Sequence, residues 1–222
     1  MGPNDYGVLW DMDGVLVDTG DLHYQAWSTI LPEFGLKLSR EQFDASFGMN
    51  NTGITEVILG RPPEPEFVER LARRKEILFR KMIRGQVQPL PGVVEWVKRF
   101  RSGLNGARFQ QIVASSAPPE NIEMLVTELG LREYFEDLVS AYTIPGKPDP
   151  AVFLEAARRL GLPAERCLII EDSLQGLEAA RRAGIRCVAV ATTNPPEALE
   201  KADLVVESLE SLTGEAVLRL LQ

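Results

Sequence analysis

The feature that most constrains this chain is an alternation in its second half, where short apolar runs are each followed by an amphipathic stretch. The runs are ARFQQIVAS, DLVSAY, RCLII and IRCVAVA, and helical patterns cover 121–129, 151–160 and 174–183 between them. That order predicts parallel strands joined by helical crossovers. A further strand is expected over 6–10, and 208–221 reads as a closing helix.

Between the first strand and the alternating half, the stretch from about 21 to 84 holds helical patterns over 22–31 and 67–83 but no convincing strand, so it reads as an insertion. It leaves through QVQPLPGVVEW, where Pro89, Pro91 and Gly92 precede a new helix, and it starts at VDTGD, which has the Asp-Thr-Gly chemistry of a turn or hinge. The expected architecture is α/β, a doubly wound parallel-sheet, Rossmann-like core over 1–18 and 88–222 with an all-helical cap inserted over 19–87.

A length of 222 residues suits one large domain or a main domain with a smaller one. With 45% hydrophobic and 25% charged residues, 18 glycines and 15 prolines, the chain is neither collagenous nor low-complexity. Asp and Glu outnumber Lys and Arg by 32 to 24, a net charge of -8, so neither nucleic acid nor a membrane is an expected partner. Cys167 and Cys187 lie inside the apolar runs CLII and CVAV, which predicts buried free thiols and a reducing compartment. The start, MGPNDYGVLWD, has no basic or apolar leader region, no run approaches a membrane span, and Tyr6 breaks the myristoylation pattern; a cytoplasmic location is expected.

Directly after the first strand, DMDGVLVDT projects Asp11 and Asp13 from a strand end, with Gly14 allowing the tight turn. Carboxyl ends of strands are where open α/β sheets bind ligands. Two carboxylates this close repel unless a cation such as Mg²⁺ or a shared proton lies between them; Asp13 and Gly14 could equally form a plain turn. After IVA come Ser115 and Ser116, whose hydroxyls suit a phosphoryl oxygen beside a helix starting near Pro119, or a simple cap. GKPDP presents Lys147, either a phosphate-neutralising cation or a solvated one. The strand CLII ends in Glu171 and Asp172, a second acidic pair that could also complement a helix dipole.

Taken together, DMDGVLVDT, VASSA, GKPDP and EDSLQGLEAARRAG resemble the four motifs of the haloacid dehalogenase superfamily, across nearly the whole core. The insertion, with HYQAW at 23–27 and LARRKEILFRKMI at 71–83, is similar to the helical cap of the beta-phosphoglucomutase-like subfamily. The resemblance implies Asp11 as a nucleophile that becomes an aspartyl phosphate and Asp13 as general acid and then base. It implies Mg²⁺ bound by Asp11, the Asp13 main-chain carbonyl and Asp172, with Glu171 as a further ligand or a supporting partner. Ser115, Ser116, Lys147 and Gly14 would form the phosphate-binding set, with amides around Met12 and Asp13 as extra donors. His23 and Lys75 match cap residues that face the active site in relatives; each could also be an ordinary surface or packing residue.

An acid at Asp13 favours phosphate-ester chemistry over dehalogenase or phosphonatase chemistry in this superfamily. The mutase pattern needs a second phosphate clamp, and here Asn51 stands at the cap arginine position while Ala117 and Pro118 replace a Ser-Lys pair. The expectation is therefore a phosphatase for a small phosphorylated metabolite, with a beta-phosphoglucomutase-type mutase as the alternative. A receiver-type signalling domain uses a similar set of acids, Mg²⁺, Ser or Thr and Lys, but needs neither the cap nor Asp13.

Overall fold

Strands β1 (Asp5–Trp10), β2 (Arg108–Ser115), β3 (Asp137–Ser140), β4 (Cys167–Glu171), β5 (Arg186–Val190) and β6 (Leu204–Val206) form one parallel sheet in the order β3-β2-β1-β4-β5-β6. The structure is a computed structural model that describes Gly2 and residues 5–222. Met1, Pro3 and Asn4, which open the N-terminal stretch and the 1–18 segment read above, lie outside the described residues.

Apolar side chains leave both faces of the sheet. Val8 and Trp10 of β1, Leu168 and Ile170 of β4, and Val188 and Val190 of β5 enter one core, while Leu9, Cys167, Ile169, Cys187 and Ala189 enter the other. A strand covered on both faces has no polar side to alternate with, which is why these segments read as unbroken apolar runs. Both cysteines are buried and free, as expected. Because β1 is flanked by β2 on one side and β4 on the other, the order reverses direction at the centre of the sheet, the position at which doubly wound sheets leave a crevice.

From 20 to 83 the described residues contain helices and no strand: α1 (Gly20–Ile30), α2 (Arg40–Ser46), α3 (Asn51–Leu59) and α4 (Pro65–Ile83). They surround an apolar cluster of their own that includes Trp27, Ile30, Phe43, Phe47, Ile54 and Leu71. Helix α4 buries Val68, Leu71, Ala72, Lys75, Glu76, Phe79 and Ile83, a stripe at three- and four-residue spacing. The two stretches joining these helices to the sheet pair with each other, through a bridge between Val17 and Pro89 and a 3.0 Å bond from Leu90 N to Leu16 O.

Helices α5 (Val93–Ser102), α6 (Pro119–Glu128), α7 (Ala151–Leu160) and α8 (Leu174–Ala183) supply the crossovers. The closing segment corrects the sequence reading: 208–221 is not one helix but a 3₁₀ turn, Leu209–Ser211, followed by α9 (Gly214–Leu220). Leu212 is extended and the Thr213 hydroxyl accepts from Ala216 N, so a new N-cap starts a second helix where periodicity alone runs on. Among the described residues no helix is long and apolar enough to cross a membrane.

Candidate active site

Asp11 follows β1 and Glu171 ends β4, so the two carboxylates flank the central crevice, and Asp172 stands beside them. One oxygen from each of Asp11, Glu171 and Asp172 lies within 4.8 Å of the others, and all three residues are buried. Lys147 reaches this cluster from the loop before α7, with Nζ 2.5 Å from Asp11 Oδ1 and 2.5 Å from Glu171 Oε1. Its side chain has no exposed area, so the solvated reading of Lys147 does not hold. Burial opposes its charge, but the two carboxylates outweigh burial and hold the ammonium above its ordinary value.

The second oxygen of Glu171 is also engaged, accepting from Asp172 N and Ser173 N, each at 2.6 Å, and from the Ser173 hydroxyl at 3.0 Å. Asp172 is held on one side only. Its Oδ2 accepts from the Thr193 hydroxyl at 2.5 Å, while its Oδ1 is buried with no hydrogen-bond partner among the described residues. Burial, followed by the charges of Glu171 and Asp11, raises the proton affinity of Asp172 well above the ordinary range, and burial is also the main cause that pushes Asp11 up to about 7. Fully ionised, three carboxylates against one ammonium would leave two unbalanced negative charges in a buried site, which is why the proton affinities rise when no further cation is counted. An orphaned carboxylate oxygen and this charge deficit fit a divalent, oxygen-preferring cation.

Asp13 belongs to a second set of contacts. Its Oδ1 accepts from the Thr19 hydroxyl and lies 3.2 Å from His23 Nε2. On the far side of the imidazole, Lys75 Nζ is 2.7 Å from His23 Nδ1 and 3.0 Å from Glu76 Oε1. An ammonium has only donors, so Nδ1 is the acceptor, and the proton of a neutral ring is on Nε2, facing Asp13. Burial, then the neighbouring Lys75 charge, lowers the His23 pKa, which keeps the ring neutral. Burial alone would raise Asp13, but the hydrogen bonds it accepts from His23 and from the Thr19 hydroxyl outweigh it and lower the pKa.

Glu76 also accepts from Asn51 Nδ2 at 2.9 Å and Asn121 Nδ2 at 2.7 Å. His23 is thus brought to Asp13, and Lys75 stands behind the ring on His23 Nδ1. Thr19, Glu76, Asn121 and Thr193 were not singled out from the sequence. Glu76 carried a usable signal, because a charged pair at 75–76 falls inside the apolar stripe of α4.

A cavity lies over Asp11, Asp13 and Ser115, walled by the aromatic and aliphatic side chains of Trp27, Phe43, Phe47, Met49 and Ile54. Trp27 is fully buried, and its Nε1 has no acceptor among the described residues. Ser115 accepts from Ala117 N at 3.1 Å, leaving its hydroxyl proton free to donate. Two residues of the phosphate-binding set are used otherwise. Ser116 donates at 2.6 Å to Gly48 O, tying the end of β2 to the segment before α3. Gly14 has no side chain to bind with and gives its N–H to Val17 O at 2.7 Å; its φ of +89° and a Cβ position 1.9 Å from Asp172 Oδ2 show that glycine is required by close approach.

Residues 8–190 match the family model described as haloacid dehalogenase-like hydrolase. Among curated proteins, a chloroplastic 5-amino-6-(5-phospho-D-ribitylamino)uracil phosphatase of Arabidopsis thaliana is 33% identical over 96% of this chain, which spans 57% of that relative's length. A fructose-1-phosphate phosphatase of Escherichia coli is 33% identical over 83% of this chain and 95% of its own. Among solved structures, a beta-phosphoglucomutase from Clostridium difficile superposes with a TM-score of 0.84 at 25% identity, covering 97% of this chain and 96% of the other.

Proposed function

Because this chain belongs to the haloacid dehalogenase-like hydrolases, we propose that it is a Mg²⁺-dependent phosphatase that hydrolyses a small phosphate monoester through an aspartyl phosphate on Asp11. The observation that carries this reading is the separation of the two aspartates into different environments. Asp11 is paired with Lys147 in the buried acidic cluster, whereas Asp13 is held by Thr19 and a neutral His23. Two carboxylates with divergent surroundings suit divided roles, one nucleophilic and one transferring protons.

In this reading Asp11 attacks phosphorus and the bond to the ester oxygen breaks, with Asp13 giving its proton to the departing alkoxide. Asp13 acquires that proton when a phosphate dianion enters, since a nearby like charge raises the proton affinity of a carboxylate. A water then attacks the aspartyl phosphate and passes a proton back to Asp13, releasing inorganic phosphate and restoring Asp11. Lys147 and the Ser115 hydroxyl hold phosphoryl oxygens, and Glu171, with both oxygens occupied, keeps Lys147 in place. Asp11, Asp172 and the Asp13 main-chain carbonyl would hold Mg²⁺, whose charge neutralises the phosphoryl group.

Hydrolysis is preferred to intramolecular transfer because a bisphosphate would find no second clamp. Asn51 is neutral and bonded to Glu76, Pro118 is the N-cap of α6, and Lys75, the one cation on the cavity wall among the described residues, is engaged by His23 and Glu76. Both curated relatives described above carry phosphatase names, which supports the same choice. The apolar wall and the free Trp27 N–H suit a small leaving group with one acceptor oxygen near the indole, such as a sugar phosphate or related metabolite. Residues 19–87 would act as a cap that closes over it.

The test is a screen of phosphorylated metabolites for phosphate release with Mg²⁺ and with a chelator, run beside Asp11→Asn. Release that needs Mg²⁺ and vanishes in Asp11→Asn is expected. Undiminished release in the variant would overturn the assignment.

A further inference from the structure

We propose that Asn121, on core helix α6, is a positioning residue for Asp13 that acts across the joint with the inserted helices through Glu76, Lys75 and His23. The inference rests on the reading of Asp13 as the proton-transferring group.

Asn121 lies in the buried stripe of α6 with Ile122, Leu125 and Val126, a position where an amide must find partners. It finds two, one turn apart on α4. Its Nδ2 donates to Glu76 Oε2 at 2.7 Å, and its Oδ1 accepts from Arg80 Nη1 at 2.8 Å. The amide therefore fixes the Glu76 carboxylate from the core side, while Asn51 and Lys75 share the other oxygen. Each further link allows one arrangement only. Glu76 accepts from the Lys75 ammonium, the ammonium donates to His23 Nδ1, and the ring presents Nε2–H to Asp13.

Without the Asn121 amide, Glu76 Oε2 is a buried carboxylate oxygen with no partner, and the carboxylate turns to share Lys75 between both oxygens. Lys75 then leaves Nδ1, the tautomer is no longer set, and Asp13 loses an oriented donor. Because Asn121 is on the core and Glu76 on the insertion, this orientation exists only while α4 is seated against α6. A purely structural clip between the helices would have no such effect on proton transfer.

Leaving-group dependence separates the two. An alkyl phosphate needs its leaving oxygen protonated, whereas 4-nitrophenyl phosphate releases a stabilised phenolate that does not. In Asn121→Ala, kcat/KM for an alkyl phosphate is expected to fall roughly 10- to 100-fold further than for the aryl ester, within the range of general acid catalysis. Arg80→Ala breaks the clip without touching Glu76, so both esters should change together. Equal losses in Asn121→Ala, or an equally large split in Arg80→Ala, would overturn the route through Glu76. If Asn121→Ala does not fold, Glu76→Gln, which weakens the hold on Lys75 with the same shape, must show the split, and its absence overturns the proposal. A wild-type protein that releases phosphate from neither ester with Mg²⁺ overturns the phosphatase reading as well.

Discussion

Replacing Gly14 by alanine is expected to damage metal binding through a residue that contributes no ligand. At φ +89° an added Cβ costs about 1–2 kcal/mol of backbone strain. The larger effect is steric, because that Cβ would lie 1.9 Å from Asp172 Oδ2 and 2.6 Å from its Cγ. To regain ordinary contact the carboxylate must retreat by about 1.5 Å, which takes Oδ2 away from the Thr193 hydroxyl. Breaking that buried bond adds about 1–3 kcal/mol. A total of about 2–5 kcal/mol corresponds to a fall in Tm of roughly 4–20 °C for a chain of this size. Misplacing a catalytic-site group by about 1 Å costs roughly 10²-fold in rate. The assay is thermal unfolding with and without Mg²⁺, alongside phosphate release as a function of Mg²⁺. Saturating metal should raise the wild-type Tm, by about 2.7 kcal/mol of linkage at 100 times Kd, and raise that of Gly14→Ala much less. A variant with wild-type Tm and wild-type Mg²⁺ response would refute the reasoning, since it would mean that the turn relaxes without moving Asp172.

Asp13→Asn should lower kcat/KM for alkyl phosphates by roughly 10² to 10⁴ while leaving the Mg²⁺-induced rise in Tm intact, because only the main-chain carbonyl is assigned to the metal; loss of that rise would redraw the ligand set. Trp27→Phe should raise KM for the preferred metabolite about 3- to 10-fold, the worth of one hydrogen bond, with little change for 4-nitrophenyl phosphate. An unchanged KM would show that the indole N–H does not meet the substrate. Given beta-glucose 1-phosphate, a bisphosphate primer and Mg²⁺, the protein should form inorganic phosphate rather than glucose 6-phosphate; efficient isomerisation would mean that Arg73 or Arg74, both exposed on α4, swings inward as the clamp.

What the sequence made legible follows from how each feature is encoded. Strands buried on both faces are short apolar runs, so the central strands and the acids at their ends are readable in the sequence itself. The three-residue strand Leu204–Val206 is too short to carry a pattern, and helices α2 and α3 lie in a stretch without strong periodicity. Lys147 sits in a Gly- and Pro-rich loop that gives no period, so its burial could come only from the fold. Lys75 and Glu76 are a different case, because both occupy core-facing positions of α4, and charged groups there must be paired or the helix would not seat. The need for partners was therefore written in the sequence, while the partners were not. His23 and Asn121 are 52 and 45 residues from the groups they bind, on α1 and α6, and only tertiary packing brings them together. The same holds for Ser116 and Gly14, whose residue types suit phosphate binding but whose donors are taken by Gly48 and Val17. Residue type limits what a group can do, and competition for its donors in the folded chain decides what it does.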